Sequence, residues 1–407
     1  MGKEIRWHRV LGTLLLALFL TEGAAQLWVY VWAGEPYRTF SFYSWSPYGL
    51  VRNNPNLTSP AFQINEAGFR RDGEVAIEKP AKTLRVMLLG ASVLYSGIAG
   101  NAFIESEGRT GSDGTIDAFL EGLIRSDLEF SDVDVEVINA AVNFNRIVEV
   151  SVSYIAEFAY YDPDIVIVFG SANNFGGWPA AGAVNERKQT LQSDHLWKSE
   201  FDRIVNRNDA NSLVENTIRT LEGYFASVGL AKKVAGKLID GGFALSRRLA
   251  PIKFWLTSDD SLPALANDAE VELLLSEYLG YVDAMAAVAK RREQHLVIFW
   301  ENWLLDLEGV KQFSPGEMRL SAKLTNSRSP TSTKFRFHVR DRLAEQLPSL
   351  GISFVDPVNS MAVSQETLFI DYVHYTRKGN QLVAEVLFYQ LRPVLKELAA
   401  LLEAEPS

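Results

Sequence analysis

Thr83-Leu84-Arg85-Val86-Met87-Leu88-Leu89-Gly90-Ala91-Ser92-Val93-Leu94-Tyr95-Ser96-Gly97 is the stretch on which the reading of this chain turns. Leu84, Val86, Met87, Leu88 and Leu89 put five apolar side chains into six positions, the pattern of a strand buried on both faces. Gly90-Ala91-Ser92 then ends the strand where a parallel sheet carries its chemistry. A serine there is a candidate nucleophile, and it is equally a residue type that caps a helix N-terminus. Deciding between the two requires a base, an acid that orients it and donors for an oxyanion elsewhere in the chain.

Downstream, buried-strand patterns recur, two of them with polar ends. Residues 133–138 end in Asn139-Ala140-Ala141-Val142-Asn143, and residues 165–169, behind Asp162-Pro163-Asp164, end in Gly170-Ser171-Ala172-Asn173-Asn174. Residues 295–300 and 352–355 supply a fourth and a fifth strand. Between them, residues 116–125 repeat Phe119, Leu120, Leu123 and Ile124 at helical spacing, and residues 148–161 form a second helical segment. Strand and helix alternate at lengths suited to right-handed crossovers, which predicts an α/β domain with a mostly parallel five-stranded sheet and helices on both faces.

Residues 176–290 break that rhythm and read as a helical insertion, with helical patterns over 212–225 and 270–290. Between these, residues 231–256 interleave Lys232, Lys233, Lys237, Arg247, Arg248 and Lys253 with apolar residues. This basic amphipathic stretch fits a membrane surface, a cap over the sheet edge, or a solvated hairpin with a buried stripe. Upstream of the sheet, residues 34–82 are rich in Pro, Tyr, Ser and Asn and read as a connecting arm. Within it, residues 64–71 look like a turn followed by an edge segment.

With 407 residues and 47% hydrophobic content, the chain can bury one large core, alone or with an inserted subdomain. It contains no cysteine, which excludes disulfides, zinc-thiolate sites and a cysteine nucleophile. Lys3, Arg6 and Arg9 precede an apolar stretch over residues 10–32, which as a helix would be about 34 Å long against a hydrocarbon core of about 30 Å. Glu22 inside it costs about 2.5–3.5 kcal/mol on insertion scales, offset by the run from Leu14 to Leu20 and by Trp28, Tyr30 and Trp32.

Residues 1–33 therefore read as a single-pass anchor in the cytoplasmic membrane. A cleaved signal peptide with Gly23 and Ala25 in the minus-three and minus-one positions of the cut is the alternative. Either places the remainder outside the cytoplasm, periplasmic or extracellular. Beyond residue 33 stand 37 basic and 48 acidic residues, a net charge of −11. Such a domain is a poor partner for nucleic acid or for bulk anionic lipid.

Five histidines limit the choice of base. His8 precedes the apolar stretch, His195 lies in a polar loop, His295 at a strand start and His338 in a charged helical run. His374 stands apart, in Phe369-Ile370-Asp371-Tyr372-Val373-His374-Tyr375-Thr376. An acid three residues before a histidine can sit on the same side of a turn and hold one imidazole nitrogen while the other faces a nucleophile.

In their order and spacing, Gly90-Ala91-Ser92, Ser171-Ala172-Asn173-Asn174 and Asp371 to His374 resemble the first, third and last motif blocks of the SGNH (GDSL-like) hydrolase family, over roughly residues 84–395. The resemblance implies a three-layer α/β/α, flavodoxin-like domain over 83–400 and a triad of Ser92, His374 and Asp371. It also implies an oxyanion hole made by the backbone N–H of Ser92, the side-chain amide of Asn173 and a backbone N–H from the second block, at Asn143-Phe144. Three blocks depart from the family pattern, the first because Gly97 follows the nucleophile turn one position later than expected. Phe144 stands where the family has glycine, and Ser171 and Asn174 replace a glycine and an acid.

The activity so implied is that of an exported, membrane-tethered serine esterase or deacylase. It would remove O-acyl groups, acetyl first, from a cell-surface or exopolysaccharide glycan through an acyl-serine. Trp45, Trp178, Trp197, Trp255, Trp300 and Trp303 offer platforms for sugar faces. A lysophospholipase-like lipid esterase, a glycan O-acyltransferase and a non-catalytic binding module use the same fold. No metal or other cofactor is implied.

Overall fold

The structure is a computed structural model of the 407-residue chain and describes residues 13, 16–27, 43–46, 50–56, 58–59, 62–96, 112–143, 145–175, 268–325 and 330–404. Phe144, His8, His195, Trp178, Trp197, Trp255, residues 176–267 with their basic stretch, and much of the 10–32 stretch lie outside the described residues. The chain divides into two compact units, Met1–Ser41 with Arg187–Leu262, and Phe42–Glu186 with Pro263–Ser407. Of the first unit, residues 16–27 are helical, and Leu16, Leu18, Phe19, Leu20 and Leu27 are exposed on that helix. Among the described residues no helix is long and apolar enough to cross a membrane.

The second unit opens with two small antiparallel hairpins in the arm, β1 (Tyr43–Ser46) with β2 (Leu50–Asn53), and β3 (Thr58–Ser59) with β4 (Phe62–Gln63). The sequence shows no sustained alternation there because strands of two to four residues are too short to display one. A tight turn follows, in which Asn65 Oδ1 accepts the N–H of Phe69 at 2.9 Å and Gly68 takes a φ of +85°, open to glycine. The edge segment read at 64–71 is no strand, yet Arg70 donates its N–H to Asn139 O at 2.9 Å.

The core elements then alternate as expected: β5 (Thr83–Leu89), α1 (Ser92–Tyr95), α2 (Ile116–Ser126), β6 (Asp134–Asn139), α3 (Ile147–Ala156), β7 (Ile165–Phe169), α4 (Ala172–Phe175), α5 (Asp268–Arg291) and β8 (His295–Phe299). α6 (Pro315–Thr325), α7 (Pro330–Gln346), β9 (Ser353–Val355), α8 (Val358–Val363) and α9 (Arg377–Ala404) complete it. β5 to β9 form one five-stranded sheet in the order β6-β5-β7-β8-β9, every pair parallel. All strand ends that carry polar motifs therefore lie along one edge.

β5 and β7 are buried at every position, in line with their uninterrupted apolar runs. Arg85 is the one charge inside β5, and it is fully buried. Its Nε donates to Glu136 Oε2 at 2.8 Å, and Nη1 donates to the carbonyls of Ile77 and Tyr161. The Glu136 carboxylate and these two carbonyls offset the cost of burying the cation.

On one face of the sheet, Met87, Leu89, Val166, Val168, Leu296 and Ile298 pack with α3, α5 and α7 through Val150, Tyr154, Leu275, Tyr278, Val282 and Val339. Thus the 270–290 segment, grouped on sequence with the insertion, is the crossover helix that returns the chain to β8. α2 packs against β6 and α9 on the other face, where the rings of Phe130 and Phe388 meet edge to face at 6.5 Å. The result is the α/β/α layering that the resemblance implies.

Candidate active site

Gly90 lets the nucleophile turn form. A Cβ there would fall 2.7 Å from Phe169 Cβ and 2.8 Å from Phe169 O, so only glycine allows the ends of β5 and β7 to close. Ser92 is the first residue of α1, whose N-cap position, Ala91, makes no side-chain cap bond. The helix-capping role that a serine could have had is therefore not the one it fills. Its Oγ lies 2.9 Å from His374 Nε2 instead.

His374 and Asp371 come from a small hairpin between α8 and α9. Phe369 and Tyr375 form an isolated antiparallel bridge, Ile370 N–H donates to His374 O at 2.9 Å, and Thr376 N–H to Leu368 O at 2.8 Å. The tip holds Asp371 Oδ2 at 2.7 Å from His374 Nδ1, while Oδ1 accepts the N–H groups of Val373 and His374, both at 2.8 Å. Burial raises the pKa of Asp371, but the His374 hydrogen bond and charge, with the two backbone N–H donors, outweigh it and hold the carboxyl below its usual range. With Asp371 an anion, Nδ1 carries the imidazole proton and Nε2 is free to accept from Ser92.

The hairpin is anchored from three sides. Leu304 N–H donates to Tyr372 O at 2.9 Å. Glu317 Oε1 accepts the N–H of Leu368 at 2.9 Å, and Lys311 Nζ donates to Glu366 O at 3.0 Å. At the start of α9, a Cβ on Gly379 would collide with Leu368 O, and Asn380 Nδ2 reaches Gly114 O at 2.9 Å.

The other two blocks also converge on this edge. Val142 N–H donates to Gly90 O at 3.1 Å, which sets the second block, including the buried Asn143, beside the serine turn. Asn173 is exposed, and its Nδ2 donates to Asn145 O at 3.0 Å, so one amide hydrogen orients the group and the other is left for a ligand.

Ser171, a departure from the family pattern, has a structural reason. Its Oγ accepts the N–H of Glu301 at 2.8 Å, and Glu301 Oε2 accepts the N–H groups of Ser171 at 2.8 Å and Ala172 at 2.7 Å. A buried carboxyl after β8 thus holds the turn that presents Asn173.

Burial pushes the Glu301 pKa above its usual value, opposed in part by the N–H donors of Ala172 and Ser171 and by Arg336. An acid with a raised native pKa binds more protons folded than unfolded, so its contribution to stability falls as pH rises from the unfolded value, about 4.3, toward the native one. Glu301→Gln keeps an acceptor for Ser171 and Ala172 and removes the titration. Urea unfolding at a series of pH values should show the variant gaining on the wild type as pH rises through that window; parallel curves would show that Glu301 does not titrate there.

Two tryptophans read as sugar platforms have another use. Trp300 and Trp303 are 0% and 5% exposed, and the Arg336 guanidinium lies over their rings at 4.8 and 4.5 Å. Arg336 also pairs with Asp306, Nη2 to Oδ2 at 2.8 Å. Both rings are part of a buried cation–π cluster and cannot take a sugar. Glu301 is marked in the sequence only by its place just after a strand, and the buried Lys311–Glu317 pair is not marked at all.

A parallel α/β/α sheet thus has a serine, a histidine and an aspartate in hydrogen-bonded line at its C-terminal edge, the arrangement that defines the triad of a serine hydrolase. No protein-family model and no curated protein matches the sequence. Among solved structures, the chain is similar to Axe2, an acetylxylan esterase from Geobacillus stearothermophilus, with 12% identity, a TM-score of 0.36 and coverage of 77% of this chain and 95% of that one. It is also similar to a protein described as a GDSL-like lipase from Parabacteroides merdae ATCC 43184, with 11% identity, a TM-score of 0.37 and coverage of 77% and 97%. At such identities and scores, neither match bears on substrate or activity.

Proposed function

We propose that the chain is a membrane-tethered serine esterase of the SGNH type that removes O-acyl groups, acetyl first, from a glycan outside the cytoplasmic membrane. The observation that carries this reading is the unbroken line from Asp371 Oδ2 to His374 Nδ1 at 2.7 Å and from Nε2 to Ser92 Oγ at 2.9 Å. Ser92 attacks the ester carbonyl as its proton passes to Nε2, and Asp371 stabilises the imidazolium that forms. The oxyanion is held by the N–H of Ser92, the free amide hydrogen of Asn173 and an N–H of the second block at Asn143-Phe144. Each such donor is worth about 100- to 1,000-fold in rate. Nε2–H then protonates the leaving alcohol, and water, with His374 as base, releases the acid from the acyl-serine.

For the tether, the exposed apolar side chains of helix 16–27 suit lipid better than water. Glu22 there accepts from Gln26 Nε2 at 2.7 Å, which lowers the cost of taking it into a bilayer. The net charge of −11 beyond residue 33 favours a glycan over an anionic lipid surface.

The test uses the full chain in detergent against p-nitrophenyl acetate, p-nitrophenyl palmitate, an O-acetylated oligosaccharide and a lysophospholipid, with Ser92→Ala alongside. Acetyl esters should be cleaved and the variant should be inert. Hydrolysis that survives in Ser92→Ala overturns the nucleophile, and a preference for the palmitate and the lysophospholipid replaces the glycan by a lipid.

A further inference from the structure

Asn139, at the end of β6, has both amide hydrogens and its amide oxygen engaged. Nδ2 donates to Leu94 O of the serine helix at 3.1 Å and to Asp117 Oδ1 at 2.7 Å, and Oδ1 accepts the N–H of Ala141 at 3.1 Å. One fully buried amide therefore ties α1 to the second block. Asp117, in the first turn of α2, sets which way that amide faces, because only its oxygen can face the Ala141 N–H once the nitrogen is held by a carboxylate.

The arm closes over the same place. Arg70, 3% exposed, lies over the Tyr95 ring at 5.2 Å, and its backbone N–H donates to Asn139 O at 2.9 Å. Asn53, 1% exposed, donates from Nδ2 to Gly68 O at 3.1 Å and to Ala141 O at 2.8 Å. Burial pushes the Asp117 carboxyl up in pKa, and the Arg70 charge pulls it back. Arm, α2, serine helix and second block thus meet in a buried polar knot at Leu94 and Tyr95 of the serine helix.

We propose that Asn139, oriented by Asp117 and held at its carbonyl by Arg70 of the arm while Asn53 holds the neighbouring Ala141, is a positioning residue that fixes Ser92 against the second block. The arm is then part of the catalytic scaffold and not a spacer. This rests on the serine-hydrolase reading of Ser92.

The test compares Asn139→Ala, Asp117→Ala and Asp117→Asn in the full chain. Three quantities are read: kcat and KM on p-nitrophenyl acetate, the rate at which a fluorophosphonate modifies Ser92 by intact mass, and the fraction of protein folded. Asn139→Ala and Asp117→Ala should lower kcat and the modification rate about 10- to 100-fold at nearly unchanged KM, because small misplacements of a nucleophile cost that much. Asp117→Asn keeps the acceptor for Asn139 and should restore most of both rates.

Modification of folded Asn139→Ala or Asp117→Ala at the wild-type rate overturns the proposal, as does a loss that only follows the folded fraction or an Asp117→Asn as slow as Asp117→Ala. If Asn139→Ala does not fold, the two Asp117 variants decide. A wild type that is modified at Ser92 but cleaves no ester fails the esterase reading and leaves the modification rates to judge this one. A wild type whose Ser92 is not modified overturns both.

Discussion

Asp371→Asn should lower kcat about 10,000-fold while the protein stays folded, because the substitution inverts the proton arrangement of His374. Oδ1 of Asp371 accepts two backbone N–H groups, from Val373 and His374, each at 2.8 Å. An asparagine must keep its amide oxygen there, so its NH₂ faces Nδ1 of the imidazole. Nδ1 becomes an acceptor, the ring proton moves to Nε2, and the atom facing Ser92 can no longer take a proton.

The native carboxyl titrates below its usual range, so its contribution to stability is complete above the unfolded pKa, about 3.9, and is lost only as pH falls through the native value. The variant should lack that acid dependence. Steady-state rates and a thermal melt across pH check both parts, and a kcat within tenfold of wild type would show that the Asp371 contact does not set the tautomer.

Lys311→Met should destabilise the fold by about 3–5 kcal/mol, the usual cost of stranding one member of a buried ion pair. Both side chains are 0% exposed, with Lys311 Nζ at 2.8 Å from Glu317 Oε2. Glu317 also accepts the N–H groups of Ser314 at 3.0 Å and Leu368 at 2.9 Å, so the carboxylate cannot swing out to water without freeing both. Lys311 meanwhile holds Glu366 O, at the foot of the hairpin that carries Asp371 and His374. Urea unfolding measures the loss. A change below about 1 kcal/mol would mean that water reaches the pair, as at a surface bridge. Turnover should fall with stability, since the hairpin loses its footing.

Much of this was written locally. The run from Leu84 to Leu89 and the uninterrupted 165–169 declare buried parallel strands, and Asp371 and His374 are close enough in sequence for one turn to align them. What stayed hidden depends on partners that no local pattern joins. Glu301 serves Ser171 across 130 positions, and Asn53 serves Ala141 across 88. The arm hairpins are too short to show a period. Trp300 and Trp303 read as sugar platforms because composition cannot tell an aromatic wall from one, and the residue that decides it, Arg336, arrives from α7.

Ser92 and His374 stand 282 positions apart, and each pairing in the main sheet is parallel and therefore non-local. β5 lies between β6 and β7, with β8 and β9 added outward in chain order. The base can therefore meet the serine only when residues from both ends of the domain have come together, a closure over long sequence separation of the kind that high contact order makes slow. Before that contact forms, Ser92 has no base beside it, so on the esterase reading the chain acquires its reactivity last.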